Sequence, residues 1–449
     1  LGCAFLGVAA VHAVLVLWLT YGVASDLDTV FVRSIEEGSA VLHTRQPWAA
    51  LLLATSFLVL AFTVHGTLQR RRDDSPIADL ALGVALPSVI LLMVLVGIGA
   101  RLDARALTIL GLMFCGVGVF INRGRPIALA SIVLVAFVVI FLDDIRGGSV
   151  ITQERSFFGV LRTRVIQDNP DTPPLRMLMH GTTIHGAQLA APGLTRQPLT
   201  YYHPRTALGE SILAGLSLGE PSNLALIGLG AGSTACLTRS SDQLTIFEID
   251  PAVVRLSALP GGDFTYVPEC QPNARIELGD ARLQIAEEPN GSYDVIAVDA
   301  FSSDAIPAHL LTREAIALYL SKLSPRGIVV LHLSNRNLAL VSEAARVARD
   351  LNAPTLFRIS DRFEQPYVSY YGGLAASVMI VARTPDVLAR LPLPSNDWTV
   401  FPAPPGRAWS DDYINLPRAL WEGVTGIEQC RIYTYLPDCQ IEPASAPVN

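Results

Sequence analysis

The chain has 449 residues, of which 51% are apolar and 16% charged, and its formal net charge is −7. The apolar fraction exceeds that of ordinary soluble domains, and the negative charge gives no support for a nucleic-acid partner. The six cysteines show no spacing typical of a zinc site, so no metal centre is expected.

Long apolar segments crowd the first third of the chain. A membrane-spanning helix needs roughly 20 apolar residues, with about 17 as the lower limit. The sequence therefore predicts a transmembrane helical domain over residues 1–145, with about five spans at 3–21, 48–68, 80–100, 106–121 and 127–142. The last two are short, and a buried helix is their alternative. The arginines in the loops between the predicted spans are divided almost equally between the two sides, so they hardly favour either orientation of the domain in the membrane.

Beyond residue 145 the polarity becomes normal and short strand and helix signals alternate. Residues 148–168 predict a small β unit. From about residue 207 to 350, alternating strands and helices predict a parallel sheet covered by helices. We expect an α/β Rossmann-like domain over residues 146–425, followed by a C-terminal tail over 426–449.

A glycine-rich turn follows the first strand of this domain, in the sequence LALIGLGAGS. Gly228, Gly230 and Gly232 would let a ligand approach backbone amides, and Glu248 ends the next strand, where it can bind both hydroxyls of a ribose. A dinucleotide site is the rival interpretation, but the sequence shows neither a second nucleotide half nor a nicotinamide pocket. An S-adenosyl nucleoside needs only one nucleotide-binding half of such a sheet, so it fits this sequence better than a dinucleotide does.

Two aspartates end the following strands. Asp280 could meet an adenine ring or simply cap the next helix. Asp299 ends the fourth strand, which commonly flanks the crevice where ligands bind in open parallel sheets. It would then face the glycine turn.

Eight motifs together resemble the spermidine synthase (polyamine aminopropyltransferase) family, in particular its bacterial membrane-fused branch. The resemblance covers about residues 148–425 and implies a fold of the class I methyltransferase and spermidine synthase type. The motifs are ERSFFGVLR, MHGTTIHGAQ, PLTYYHP, GLGAGS, FEIDP, GDAR, VDAFSSDAIPAHLLTREA and WSDDYINL.

The resemblance also implies roles for single residues. Glu248 would hold the ribose, Asp280 would contact adenine, and Gln188 would contact the nucleoside cosubstrate. Asp299 would help to accept a proton from the attacking amine, and Tyr202 would line the amine site. Cosubstrates would be S-adenosylmethionine or its decarboxylated form, with no tightly bound cofactor.

The chain departs from the family pattern at three places. Ala231 stands where the family has an aspartate that attracts the amine of the decarboxylated donor. Asp304 lies five positions after Asp299 instead of three, and Pro204 replaces a frequent glutamate. Asp304 could hold the distal ammonium of a diamine, as could Asp411 or Asp412, or these carboxylates could be solvated or capping groups.

Histidines and cysteines are less informative. His203 could line the pocket, and His332 is expected to be a packed strand-end residue. Cys430 and Cys439 could close a small disulfide loop in an exported domain, or be free thiols in a cytosolic one.

The leading hypothesis is a membrane-anchored transferase that moves an aminopropyl group from an S-adenosyl sulfonium to a small-molecule amine. One alternative is methyl transfer or sulfonium cleavage with intact S-adenosylmethionine, and another is a non-catalytic subunit of a membrane complex. We expect a multi-pass protein of the bacterial inner membrane, in contact with the lipid bilayer, with a cytosolic globular domain and a possible homodimer.

Overall fold

A computed structural model describes residues 90, 104–121, 126–146, 148–167, 172–181, 183–300, 307–335, 337–365 and 368–432. The chain divides into two compact units, Leu1–Gly147 and Gly148–Asn449. This division falls close to the boundary expected after residue 145.

In the first unit, helices α1 (Ala104–Ile121) and α2 (Pro126–Arg146) pack against each other. They coincide with the two short spans predicted at 106–121 and 127–142. Within the described residues, no helix has the length and apolar character needed to cross a membrane, so these two spans find no support. The spans predicted at 3–21, 48–68 and 80–100 lie outside the described residues, apart from Ile90.

The second unit begins with a four-stranded antiparallel meander, in which each strand pairs with the next along the chain. This is the small β unit that the sequence predicts, extended by a second hairpin. Its strands are β1 (Ser149–Ser156), β2 (Gly159–Ile166), β3 (Leu175–His180) and β4 (Thr183–Leu189).

A seven-stranded sheet forms the body of the unit. Its strands are β5 (Asn223–Ile227), β6 (Gln243–Glu248), β7 (Arg275–Leu278), β8 (Tyr293–Val298), β9 (Leu323–His332), β10 (Thr355–Ser360) and β13 (Ala376–Ala382); β11 (Phe363–Gln365) and β12 (Val368–Gly373) form a separate hairpin. The order in the sheet is β10-β13-β9-β8-β5-β6-β7. The five strands from β9 to β7 run parallel, whereas β13 is antiparallel to both of its neighbours.

The strand order reverses between β5 and β8, because the chain moves outward to β6 and β7 on one side and to β9 on the other. This reversal creates a crevice at the carboxyl ends of β5 and β8. The Rossmann-like α/β fold predicted from the sequence is therefore confirmed.

Side chains that alternate along β5 supply two hydrophobic cores, one on each face of the sheet. Leu224 and Leu226 pack on the face covered by helix α3 (Ala207–Ser217), and Ala225 and Ile227 pack on the opposite face. The other helices are α4 (Pro251–Ser257), α5 (Tyr266–Cys270), α6 (Ala281–Glu287), α7 (Arg313–Lys322), α8 (Leu340–Asp350), α9 (Pro385–Ala389), α10 (Leu416–Val424) and α11 (Ile427–Ile432).

The start of the predicted C-terminal tail is helical and docks onto the globular unit. The carboxylate of Glu428 in α11 is buried, and it accepts a hydrogen bond from the backbone N–H of Ser342 at 2.7 Å. Arg431 bonds to Glu422 in α10 at 2.7 Å. Residues 426–432 therefore belong to the folded unit, and the rest of the predicted tail lies outside the described residues.

Candidate active site

A cavity of about 290 Å³ lies at the carboxyl ends of β5, β6, β7 and β8. Five of the residues predicted for the site line it together: Gly228, Gly230, Glu248, Asp280 and Asp299. Its apolar wall includes Phe158, Leu161 and Leu178 of the small sheet and Leu229, Val253 and Leu310 of the larger domain. A mostly apolar pocket with a few convergent polar groups is typical of a small-molecule site.

The glycine turn brings its backbone close to the neighbouring strands. Gly228 and Gly230 have φ angles of +92° and +54°, which favour glycine. A Cβ at Gly228 would lie 2.4 Å from the backbone oxygen of Asp299, and one at Gly230 would lie 2.5 Å from that of His185. Gly232, with φ of +85°, packs against Val267 and does not line the cavity.

Glu248 fastens the glycine turn to the end of β6. One carboxylate oxygen accepts the Leu229 N–H at 2.9 Å and the other accepts the Asp250 N–H at 2.8 Å. Burial raises the pKa of Glu248, and the backbone donors work against this shift. Since each oxygen accepts one of these bonds and carries two lone pairs, the carboxylate can still accept bonds from a ligand in the cavity.

Asp280 caps helix α6 and faces the cavity at the same time. One oxygen accepts the backbone N–H groups of Arg282 and Leu283, at 2.9 and 3.2 Å. The other oxygen lies 3.2 Å from Nε2 of His309, which also lines the cavity. The capping role considered from the sequence is thus present, and it leaves the side chain at the mouth of the pocket.

Asp299 is buried, and both of its carboxylate oxygens are hydrogen-bonded. The hydroxyl of Tyr202 donates to one oxygen at 2.5 Å, and Nδ1 of His332 lies 2.6 Å from the other. Nε2 of His332 lies 2.8 Å from the hydroxyl of Ser334. Tyr202 itself does not line the cavity, but it bonds to Asp299, which does. His332 is the buried strand-end residue expected from the sequence. Its contact with Asp299 was not predicted, because the two residues lie on neighbouring strands.

Burial keeps the two tyrosines of this region protonated. It raises the pKa of Tyr202 well above its ordinary value, and the negative charge of Asp299 raises it further. The same two causes raise the pKa of Tyr201, whose ring packs 4.5 Å from that of Tyr202. Tyr202 is therefore a hydrogen-bond donor to Asp299 at neutral pH.

Gln188 lies outside the cavity, in contrast to the role expected for it. Its amide nitrogen donates to Thr195 and Thr265 at 2.8 and 3.0 Å, and its oxygen accepts the Thr265 N–H at 3.0 Å. The side chain therefore joins β4 to the segment before α5. His180 and His185, from the same hairpin, line the cavity instead. Across the described ranges, no group of three or more potential ligands is arranged to hold a metal.

Ala231 is fully buried under β4. Its N–H donates to the backbone oxygen of His185 at 2.9 Å, and its methyl group faces Gly186. No carboxylate stands at this corner of the turn. Asp304 lies outside the described residues. Asp411 is engaged by Arg282 through two bonds, of 2.7 and 2.6 Å, which lower its pKa.

A disulfide joins Cys236, just after the glycine turn, to Cys270 at the end of α5. The sequence did not indicate this pair. Cys430 is also disulfide-bonded. Cys439, with which it could pair according to one of the two interpretations of the sequence, lies outside the described residues. Disulfides persist mainly in oxidising compartments. The cytosolic location of the globular domain stays a prediction.

Comparison with known proteins bears on the family. No family model matches the chain. A polyamine aminopropyltransferase of Vibrio vulnificus (strain CMCP6) is 36% identical over 124 residues, which make up 26% of this chain and 40% of that relative's length.

Among solved structures, a probable spermidine synthase from Corynebacterium glutamicum aligns over 53% of this chain and 80% of its own, with 16% identity and a TM-score of 0.37. Spermidine synthase from Thermotoga maritima aligns over 62% and 87%, with 13% identity and a TM-score of 0.39. The match in sequence to the Vibrio protein confirms that this chain resembles the spermidine synthase-like, polyamine aminopropyltransferase family.

Proposed function

We propose that this chain is an enzyme that transfers an aminopropyl group from an S-adenosyl sulfonium to an amine and releases methylthioadenosine. The observation that carries the proposal is one cavity lined by the glycine turn, Glu248, Asp280 and Asp299. The similarity to a protein named polyamine aminopropyltransferase supports the same reaction.

The proposed arrangement of the donor follows from these positions. Its ribose hydroxyls would bond to Glu248 and its adenine would lie near Asp280, with the sulfonium between the glycine turn and Asp299. The acidic lining favours a cationic ligand. Gln188 would act through the packing of β4, because its amide is already fully engaged.

In the reaction, the lone pair of a neutral amine nitrogen attacks the methylene carbon beside the sulfonium. A C–N bond forms as the C–S bond breaks, and the electron pair of that bond stays on sulfur in neutral methylthioadenosine. The new ammonium loses its proton to Asp299. Holding the nitrogen in line with the carbon supplies much of the rate enhancement, and a placed base adds to it. Asp304 would hold a distal ammonium of the acceptor.

The proposal is tested by incubating the purified protein with decarboxylated or intact S-adenosylmethionine, with and without putrescine. We expect methylthioadenosine that depends on both the amine and the decarboxylated donor. Absence of both turnover and nucleoside binding would contradict the proposal and favour a non-catalytic subunit.

Intact S-adenosylmethionine is the second candidate donor, and Ala231 is the observation that favours it. With alanine at position 231, no side chain of the turn Gly228–Gly232 is acidic, so the turn itself adds no charge that would repel the carboxylate of the intact donor. Release of S-adenosylhomocysteine with an acceptor would indicate methyl transfer. Methylthioadenosine formed from the intact donor without an amine would indicate sulfonium cleavage.

Membrane attachment stays a prediction, because it depends on the segments 3–21, 48–68 and 80–100 outside the described residues. Homodimer formation is likewise a proposal that the family resemblance supports. Fractionation of cells expressing the chain would test membrane attachment, and sedimentation of the purified chain would test homodimer formation.

A further inference from the structure

We propose that His332 is a positioning residue that holds the carboxylate of Asp299 in the orientation needed to accept the proton of the attacking amine. This inference rests on the proposed function and names a residue that the family resemblance did not supply. The distance of 2.6 Å between Nδ1 of His332 and the carboxylate is the starting observation.

The tautomer of His332 follows from the donors around it. The backbone N–H of Ser377 donates to the hydroxyl oxygen of Ser334 at 2.9 Å. The Ser334 hydroxyl hydrogen can then point to Nε2 of His332, which lies 2.8 Å away. A neutral imidazole whose Nε2 accepts this bond carries its proton on Nδ1. The Nδ1–H group therefore donates to Asp299.

Asp299 is held at both oxygens from the side away from the cavity. Tyr202 donates to the second oxygen at 2.5 Å, and neither Tyr202 nor His332 lines the cavity. Two donors on different elements fix the plane of the carboxylate. Because each oxygen can accept a further bond, the side that faces the cavity is left for the substrate nitrogen.

Two tyrosines pack around this pair as neutral groups. The ring of Tyr201 lies 4.7 Å from the ring of His332. Burial raises the pKa of both Tyr201 and Tyr202, so both phenols stay protonated at neutral pH.

An enzyme lacking the His332 donor should position its proton acceptor less well. It should consequently lose turnover number more than substrate affinity.

The test compares His332→Leu with His332→Asn, two variants with the same number and branching of side-chain heavy atoms. Asn can place an N–H near the position of Nδ1, whereas Leu cannot. We measure kcat with the active donor and amine, together with methylthioadenosine binding. His332→Leu should lower kcat about tenfold or more. His332→Asn should recover most of this loss, and binding of methylthioadenosine should change less than about threefold in either variant.

Equal loss of kcat in the two variants would mean that His332 only packs, and the inference would be overturned. Wild-type behaviour of His332→Leu would overturn it as well. If the wild type itself forms no methylthioadenosine, the proposed function fails and this inference fails with it.

A second measurement covers the case in which His332→Leu does not fold. Histidine-selective ¹⁵N labelling of the wild type should show that His332 carries its proton on Nδ1, with the signal changed in Asp299→Asn. Protonation on Nε2 would overturn the inference without any kinetic measurement.

Discussion

Glu248 offers a test in which stability and binding are read separately. Its carboxylate satisfies the N–H groups of Leu229 and Asp250, which are 0% and 3% exposed. A buried N–H left without a partner costs about 1–3 kcal/mol, so Glu248→Ala should lower the free energy of unfolding by about 2–6 kcal/mol. Such a loss is a large part of the roughly 5–15 kcal/mol that stabilises a typical domain.

Glu248→Gln retains one acceptor oxygen, and it also removes the cost of burying a charge. We therefore expect a loss of about 1–2 kcal/mol in urea unfolding followed by tryptophan fluorescence. Because bonds from ribose hydroxyls to a carboxylate are stronger than those to an amide, methylthioadenosine should bind about tenfold or more weakly in calorimetry.

Glu277→Ala is the control, since this residue of the adjacent strand β7 forms only a partly exposed ion pair with Arg275, whose loss costs about 1 kcal/mol or less. If Glu248→Ala has the same free energy of unfolding as the wild type, the hydrogen bonds from Glu248 do not stabilise the connection between the glycine turn and β6. Unchanged affinity in Glu248→Gln would refute ribose binding.

Three further predictions concern other parts of the unit. Asp299→Asn should abolish methylthioadenosine formation while nucleoside affinity changes by less than about threefold; unchanged turnover would exclude Asp299 as the proton acceptor. Burial raises the pKa of Glu428 from 4.5 to about 7, so its contribution to stability is present below pH 4.5 and is lost as the pH rises through 7. Between pH 5 and 8 the wild type should thus lose about 2–3 kcal/mol of unfolding free energy relative to Glu428→Gln, and parallel pH profiles would contradict this. Reducing the Cys236–Cys270 bond, which closes a loop of 34 residues, should cost about 4 kcal/mol in urea unfolding, and peptide mapping that finds both thiols free in the cell-derived protein would contradict the bond.

Strand ends were the most informative part of the sequence. Apolar runs that stop at a glycine or a carboxylate predicted the crevice, and Glu248, Asp280 and Asp299 do lie around one cavity. Parallel strands make this inference possible, because their carboxyl ends meet at one edge of the sheet.

Side-chain pairing across the fold was not predictable in the same way. His332 meets Asp299 only because β9 lies beside β8, and a histidine at a strand end has no local pattern that reveals its partner. Gln188 and His185 are three residues apart on β4, so they point to opposite faces, and the choice of the residue that faces the cavity depends on the packing of that strand. Cys236 and Cys270 are brought together by tertiary structure alone.

Strand β7 lies at one edge of the seven-stranded sheet, and this position has a consequence for assembly. It is only four residues long, and its Arg275 forms ion pairs with Glu277 on the same strand and with Glu288 at the end of helix α6. A short edge strand with charged side chains discourages another chain from pairing a strand with it. Two copies that associate should therefore meet through side chains on some other face, and a dimer that continued the sheet from β7 would be unexpected.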